Sequence, residues 1–457
     1  MSITTIILAA GKSTRMNSLK SKLSFKIVGK PIIEHVVKIA CQISSKKIIC
    51  VLNKPTETYE DILKKNNVVI TYQKNPRGTA EAVQVALKAK QHEPNNTVLI
   101  LYGDVPFISK KTLTSLISKT KRNDMCILTA VLNNPFGYGR IIRSNKKIVE
   151  IIEEKDANLE IKKINEINTG IICIKEGALR KYLKLIKNKN KQREYYLTDL
   201  IKSASSQDEK IGVVTTNAVD EIIGINTRVH LAEAETALRT RINNRWMERG
   251  VTLIDPANTY IDSNVEIGLD TIVLPNTHLQ GNTVVGSECT IGPNSTIRHS
   301  VINDRCKIES SVVEHATLGN DVDVGPFGHL RAGAHLDNGV HVGNFGEVKN
   351  SYLGPDVKMG HFSYVGDATI GARTNIGAGA ITCNYGMDKN KHRTEIGEDV
   401  FIGSDTMLVA PLHIGSRVRT GAGSVVTKDL PDDSLAVGVP ARIISRAVDD
   451  DIQLKDE

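Results

Sequence analysis

Between Val265 and Val426 the chain returns, at intervals of six, to an aliphatic residue followed by glycine. The clearest runs are Val285-Gly286 and Ile291-Gly292; Leu318-Gly319 and Val324-Gly325; Leu353-Gly354, Met359-Gly360 and Val365-Gly366; Ile370-Gly371 and Ile376-Gly377; and Ile396-Gly397, Ile402-Gly403, Ile414-Gly415 and Thr420-Gly421. Six is neither the helical period nor the alternation of a simple strand. It predicts a parallel β-helix of hexapeptide repeats, one short strand per repeat and three repeats per triangular coil. The aliphatic residue points into the column and the glycine serves the turn. Such an interior has no room for chemistry. Function must sit on the outer faces, in loops that break the period, or in the other part of the chain.

Residues 1–227 carry a different pattern, apolar runs alternating with amphipathic stretches. Ile3 to Leu8, Ile48 to Leu52, Val68 to Tyr72, Val98 to Tyr102, Met125 to Val131 and Gly170 to Ile174 read as strands; Ile32 to Ala40, Thr79 to Lys90 and Lys111 to Lys119 read as helices. The alternation predicts a doubly wound, mostly parallel α/β (Rossmann-like) sheet with ligands beyond the carboxyl ends of its strands. From Arg228 to Arg249, apolar marks at Leu231, Ala234, Leu238, Ile242 and Trp246 recur every three or four residues, a helical stripe. The expected organisation is therefore 1–227, a linker helix over 228–250, and a column with a short acidic tail over 251–457. Trp246 is expected to be a packing anchor, and Asp449 to Glu457 a poorly ordered end.

Composition narrows the field. A chain of 457 residues, 40% hydrophobic and 24% charged, is that of a globular protein with more than one core. No apolar stretch is long enough to span a bilayer and Met1 to Leu8 lacks the marks of a signal peptide, so a cytoplasmic protein without membrane insertion is expected. The seven cysteines are scattered and never in CxxC spacing, which indicates neither a disulfide framework nor a zinc site; Cys50, Cys126 and Cys173 lie in aliphatic runs and read as buried small hydrophobes. A net charge of +8 is spread among Asn and Ile without an arginine-rich arm, and aromatic residues make up only 4%. That argues against nucleic acid and for a lysine-rich surface that attracts anionic small substrates.

Candidate chemistry begins at Ile6 to Met16, a strand running into the small-residue loop Ala9-Ala10-Gly11-Lys12-Ser13. Its backbone N–H groups, with Lys12 and Arg15, can cradle phosphates. It is not a Walker loop, because position 6, where the first glycine would stand, is Ile6. Asp104 follows the strand ending at Tyr102-Gly103, where a carboxylate can hold a divalent metal against phosphates. An aspartate there is, taken alone, more often a cap or turn residue. Gln73 and Gly78-Thr79 precede a helix as groups reading a base would, and Asn226 offers a neutral oxygen to the same metal.

Leu8 to Met16, Gln73 to Thr79, Tyr102-Gly103-Asp104, Gly137-Tyr138-Gly139-Arg140, Glu153, Asn168-Thr169-Gly170, Glu194-Tyr195-Tyr196 and Asn226 closely resemble the sugar-phosphate nucleotidylyltransferases. With the column, the whole chain resembles the bifunctional N-acetylglucosamine-1-phosphate uridylyltransferase/glucosamine-1-phosphate N-acetyltransferases. The resemblance implies a uridylyltransferase domain, a left-handed β-helix that carries acetyl transfer, and a homotrimer. It further implies attack of a sugar 1-phosphate on the α-phosphate of UTP, with Mg²⁺ held by Asp104 and Asn226, and with Arg15 and Lys22 offsetting phosphate charge. Leu8, Ala9, Ala10, Gly11, Gln73, Gly78 and Thr79 would frame the uridine, with Tyr102 and Gly103 beside them; Gly139, Glu153, Asn168 and Thr169 would hold the amino sugar. The chain departs from the family at Ser13, where glycine is usual, and at Ser21-Lys22, where Pro-Lys is usual.

In the column, Arg331, Lys349, His361, Tyr364, Asn375 and Asn384-Tyr385 fall where the period is interrupted. Twenty residues separate Gly377 from Gly397, so a loop is extruded around Asn384 to His392. Histidine is the side chain that ordinarily titrates near neutrality, and an aminosugar must lose a proton to attack a thioester. The resemblance implies His361 as general base, Arg331, Lys349, Tyr364 and Asn375 on glucosamine 1-phosphate, and Ala378, Asn384, Tyr385, Ser404 and Ala422 on acetyl-CoA. Glu347 is expected to orient the His361 ring. Gly438 stands where a CoA-binding arginine is usual, leaving Arg442, or Lys389, Lys391 and Arg393, as replacements. The rival reading keeps the nucleotidylyltransferase and makes the column a scaffold for oligomerisation or regulation.

Overall fold

The computed structural model describes residues 2–11, 13–43, 45–55 and 57–446. Lys12 and the tail Asp449 to Glu457 lie outside them. The chain divides into two compact units, Met1–Leu238 and Arg239–Glu457.

The first unit is built on a mixed sheet in the order Ile211–Thr216, Met125–Val131, Glu166–Lys175, Asn96–Tyr102, Ser2–Ala9, Lys47–Leu52, Val69–Tyr72. Along this order all pairings are parallel except those of Glu166–Lys175, which runs antiparallel to both neighbours; at the sheet's side the hairpin Arg140–Ser144/Lys147–Ile152 adds a further antiparallel pair. The sheet is thus mostly parallel, as expected, and the hydrophobic run of this one strand, buried on both faces, does not reveal its opposite direction. The helix Ile32–Gln42 buries Ile32, Ile33, Val36, Val37 and Ala40, and Thr79–Lys88 buries Ala80, Val83 and Ala86. Both show the expected spacing of three and four. Cys50, Cys126 and Cys173 are fully buried, as their aliphatic surroundings predict.

Two features aim side chains at the carboxyl ends of the strands. A bulge between Asn168 and Ile172 breaks the ladder with Met125–Val131. At its centre Gly170 takes φ +81, and a Cβ there would lie 2.5 Å from the Tyr102 ring. The hairpin Arg140–Ser144/Lys147–Ile152 brings Gly139 to Asn168, whose N–H donates to the Gly139 carbonyl at 2.8 Å.

The helix Arg228–Met247 occupies the expected linker, and the division between the units falls inside it. In the second unit Asn243 donates to the carbonyls of Pro256 and Thr259 at 2.7 and 3.0 Å, and Trp246 is buried beneath Arg245 and Arg249. The tryptophan is thus a packing residue.

The column is a left-handed β-helix whose three parallel faces hold 12, 10 and 9 strands, except that its last strand, Arg442–Arg446, pairs antiparallel. At ~4.8 Å per coil, ten coils make about 45 Å. Every aliphatic member of the six-residue runs is interior: Val285, Ile291, Leu318, Val324, Leu353, Met359, Val365, Ile370, Ile376, Ile396, Ile402 and Ile414 are all buried. Gly292 and Gly325 take positive φ, +104 and +120, as a turn role predicts, but the other glycines of these runs do not. Gly371 and Gly403 do not have positive φ; instead a Cβ on either would come within 2.5 Å of the next coil's backbone, so close stacking requires them. Left-handed turn positions fall to other residues, among them Asp321, Arg373, Asp399, Arg417 and Asp433.

Candidate functional sites

In the first unit a cavity of about 430 Å³ opens at the carboxyl ends of Ser2–Ala9 and Asn96–Tyr102. Leu8, Ala9, Ala10, Gly11, Lys22, Gln73, Gly78, Thr79, Tyr102 and Asp104 line it, all expected from sequence. Leu23, Pro76, Ala82 and Glu194 line it as well and had no assigned role; Pro76 and Glu194 lie within the segments Gln73 to Thr79 and Glu194 to Tyr196 that carry the resemblance, while Leu23 and Ala82 carry no polar signal. Gly78 has φ +121, and a Cβ would lie 2.4 Å from the Tyr195 carbonyl, so the cavity's rim needs glycine here. Gln73 is buried and donates to Gly78 O at 3.1 Å and to Glu81 at 2.9 Å. Burial alone would raise the Glu81 carboxyl, but the bonds from Arg77 and Gln73 outweigh it and hold the pKa below the usual range. The amide that would face a base is thereby fixed in one orientation.

Asp104 and Asn226 are 122 residues apart in sequence and meet at one cation, the Lys22 ammonium, at 2.5 and 2.9 Å. The Asp104 carbonyl also accepts from Ile225 N at 2.9 Å, which docks the loop bearing Asn226. A carboxylate and an amide oxygen converging on one positive charge is a donor set that fits a divalent cation. Lys22 follows Ser21, whose hydroxyl caps the turn Lys22–Ser24. Ser13 holds φ +57, a conformation that favours glycine, and its Oγ accepts from Lys22 N at 3.3 Å. Arg15 is exposed on the turn Thr14–Met16, which buried Met16 anchors.

Gly139, Glu153, Asn168 and Thr169 gather around the bulge. Glu153 accepts from Thr198 at 3.1 Å, and burial, reinforced by Asp156 and Asp199, pushes its carboxyl up. Thr169 donates to Leu128 O at 2.8 Å, while Asn168 Oδ1 accepts from Gly170 N at 3.1 Å. Burial, then the charges of Glu153 and Asp104, pushes the Tyr102 hydroxyl up, so it stays a neutral donor.

On the column, Glu347 and Tyr364 are neighbours on the ten-stranded face, and the coil below brings Arg331 alongside Lys349. Glu347 accepts from Arg331 Nη1 at 2.8 Å. Among the described residues no hydrogen bond joins it to His361, which corrects the expected Glu347–His361 contact: strand pairing sets Glu347 on the sheet, whereas His361 stands at a corner beyond Lys358–Met359. The His361 ring is exposed there. Asn375 belongs to the twelve-stranded face, between Lys358 and Phe401, so the corner at His361 joins its face to that of Tyr364.

The register also aligns the other candidates. Lys358, Asn375, Phe401 and Arg419 are successive partners, and three residues beyond each stand His361, Ala378, Ser404 and Ala422. These four form one vertical track along a corner, spanning about 15 Å at ~4.8 Å per coil. The extruded loop starts at Asn384, bridges Tyr385 to Lys391, and returns with His392 N donating to Asn384 O at 2.8 Å. Lys391 reaches Lys349, and its ammonium holds the Lys349 pKa below the ordinary lysine value. Sequence spacing could not show this pairing, because the loop's path is set by its own turn. Arg393 donates to Thr369 at 3.0 Å, and Arg442 is exposed opposite Val437, beside Gly438.

The MobA-like NTP transferase domain family matches residues 5–164, and the bacterial transferase hexapeptide family matches 264–299 and 393–428. A protein of Thermosipho africanus called bifunctional protein GlmU is 46% identical over 96% of this chain and 95% of its own length. A Staphylococcus epidermidis protein of the same name is 45% identical over 94% and 96%, and one from Syntrophomonas wolfei 43% over 96% and 97%. The chain belongs to the bifunctional GlmU family. It is a bifunctional enzyme of UDP-N-acetylglucosamine synthesis, joining a nucleotidyltransferase to a hexapeptide-repeat acetyltransferase. Nucleotidyl transfer of this kind commonly needs a divalent metal. Among the described residues no helix is long and apolar enough to cross a membrane.

Proposed function

We propose that the column acetylates glucosamine 1-phosphate with acetyl-CoA and that the α/β unit then joins the resulting N-acetylglucosamine 1-phosphate to UTP, releasing pyrophosphate, in the cytoplasm and as a homotrimer. The observation that carries the first half is the His361–Ala378–Ser404–Ala422 track. An extended acyl thioester laid along this corner ends at His361. Arg331, Lys349, Tyr364 and Asn375 flank that end from two faces, and Lys391 adds a second ammonium beside Lys349 for the sugar phosphate. His361 takes the proton as the amine attacks; the C–N bond forms, the C–S bond breaks, and the thiolate leaves as thiol with the proton returned to it. Lys391 thereby serves the acceptor, and Arg442, exposed beside Gly438, is the cation that faces CoA phosphates. Asn384 and Tyr385 begin the loop that borders the acetyl group.

The second half rests on the convergence of Asp104 and Asn226. Asp104 and Asn226 would hold Mg²⁺, which would supply positive charge against the phosphates. Lys22 and Arg15 offset the remaining phosphate charge, and Gln73, Gly78 and Thr79 hold the base. Gly139, Glu153, Asn168 and Thr169 hold the sugar so that its 1-phosphate oxygen lies in line with the α-phosphate. Incubation with glucosamine 1-phosphate and acetyl-CoA, followed by measurement of free thiol, tests the reading of the column; no thiol above background leaves it a scaffold. Pyrophosphate release from UTP and N-acetylglucosamine 1-phosphate tests the other half.

A further inference from the structure

Asp367 occupies the corner between the strands Ser363–Gly366 and Ala368–Ile370 and is only 5% exposed. Its backbone is left-handed, φ +52, like Asn350 one coil below and Gly333 below that. Packing at this corner is therefore met by an asparagine or a glycine, and a buried carboxylate costs desolvation that neither neighbour incurs. What distinguishes Asp367 is its set of partners. Oδ1 accepts from Asn350 Nδ2 and Oδ2 from Asn384 Nδ2, both at 2.5 Å. Its carbonyl accepts from Thr394 N at 3.2 Å and its N–H donates to Lys349 O at 3.1 Å. One residue thus grips both feet of the extruded loop, Asn384 and Thr394, and the strand end that bears Lys349. Its charge faces the ammoniums of Lys349 and Lys391, and the hydrogen bonds overcome burial to keep the carboxyl below its usual pKa.

We infer that Asp367 is a positioning residue for acetyl transfer, fixing the Asn384 amide at the foot of the 384–394 loop. The inference rests on the acetyl-transfer reading of the column. With Nδ2 bound to the carboxylate and 3.4 Å from the Tyr364 hydroxyl, the Asn384 amide presents its oxygen away from Asp367. Gly366 permits this closeness, since a Cβ there would lie 2.8 Å from Asn384 Nδ2.

The test is Asp367→Asn in the full chain, assayed for thiol release and for pyrophosphate release. The new amide opposes two amide donors, so the kcat of acetyl transfer falls on the order of 10-fold or more. Loss of the negative charge leaves two lysines unopposed, so KM for glucosamine 1-phosphate stays level or falls. A general loosening of the column would instead raise KM. Unchanged kcat, or a loss of kcat matched by a rise in KM, overturns the inference. If Asp367→Asn does not fold, Asp367→Glu decides: it keeps the charge one methylene away, and full wild-type kcat would refute the positioning role while reduced kcat at level KM supports it. Wild-type protein that releases no thiol defeats the acetyl-transfer reading itself, a separate outcome from an active wild type with an unaffected variant.

Discussion

The α/β unit encloses its candidate site in a cavity of about 430 Å³, whereas the hollow inside the column between Tyr364, Ile376 and Leu408 measures about 10 Å³. The first unit holds buried polar side chains such as Gln73 and Thr169 that are bonded to neighbouring side chains or to backbone around that cavity. The column keeps its candidates outside, aligned by register along a corner and two faces. A curved sheet with loops at one end can shape a volume; a stacked coil can offer only a surface track and whatever a loop adds to it. Specificity in the first comes from enclosure, in the second from repetition interrupted once.

Independent sites should fail independently. Asp104→Ala removes the carboxylate that converges with Asn226 on Lys22, and pyrophosphate release should drop on the order of 10³-fold or more, with thiol release near normal. Loss of both activities in a folded variant would break the comparison. His361→Ala should do the reverse, lowering thiol release on the order of 10²- to 10³-fold.

Stability should separate the regions too. Glu176, 0% exposed, accepts from Lys90 at 2.5 Å, Asn96 at 2.8 Å, Arg180 at 2.9 Å and His92 at 3.1 Å. Burial would raise this carboxyl, but those bonds depress it to about 2. A depressed carboxyl stabilises the fold above its unfolded value, about 4.3, and that contribution is lost as pH falls through about 2. Glu176→Gln should cost the α/β unit about 3 kcal/mol at neutral pH and flatten its melting between pH 4 and 2. The column's pairs, such as Arg305–Asp321 and Arg417–Asp433, are solvent-exposed and should give its melting little such dependence. Smallest is Glu347→Gln: with its carboxylate on Arg331, it should raise KM for glucosamine 1-phosphate about threefold and leave the pH profile of kcat unmoved. A shifted profile would restore a link to His361.

Much of this was legible in the chain. The six-residue rhythm marks every buried aliphatic position named above, because interior packing repeats with the coil. The strand ends at Ala9 and Tyr102 place the loop and Asp104, because parallel strands deliver their ligands at one edge. Direction was not legible: Glu166–Lys175 is as hydrophobic as its parallel neighbours. Neither was the reason for the column's glycines, since contact with the next coil and a left-handed turn leave the same residue in the sequence. Asp367, and the place of Lys391 beside Lys349, were hidden for a third reason: their neighbours are chosen by a loop that obeys no period.

That loop leaves the column and rejoins it at a single corner. The step from Asn375 to its partner Phe401 is 26 residues, while the next, Phe401 to Arg419, is 18, yet the strands stack without a break. The excursion can lengthen or shorten without disturbing a rung above or below it. Such a fold can revise what it recognises by editing one detour, keeping the tower that carries it intact.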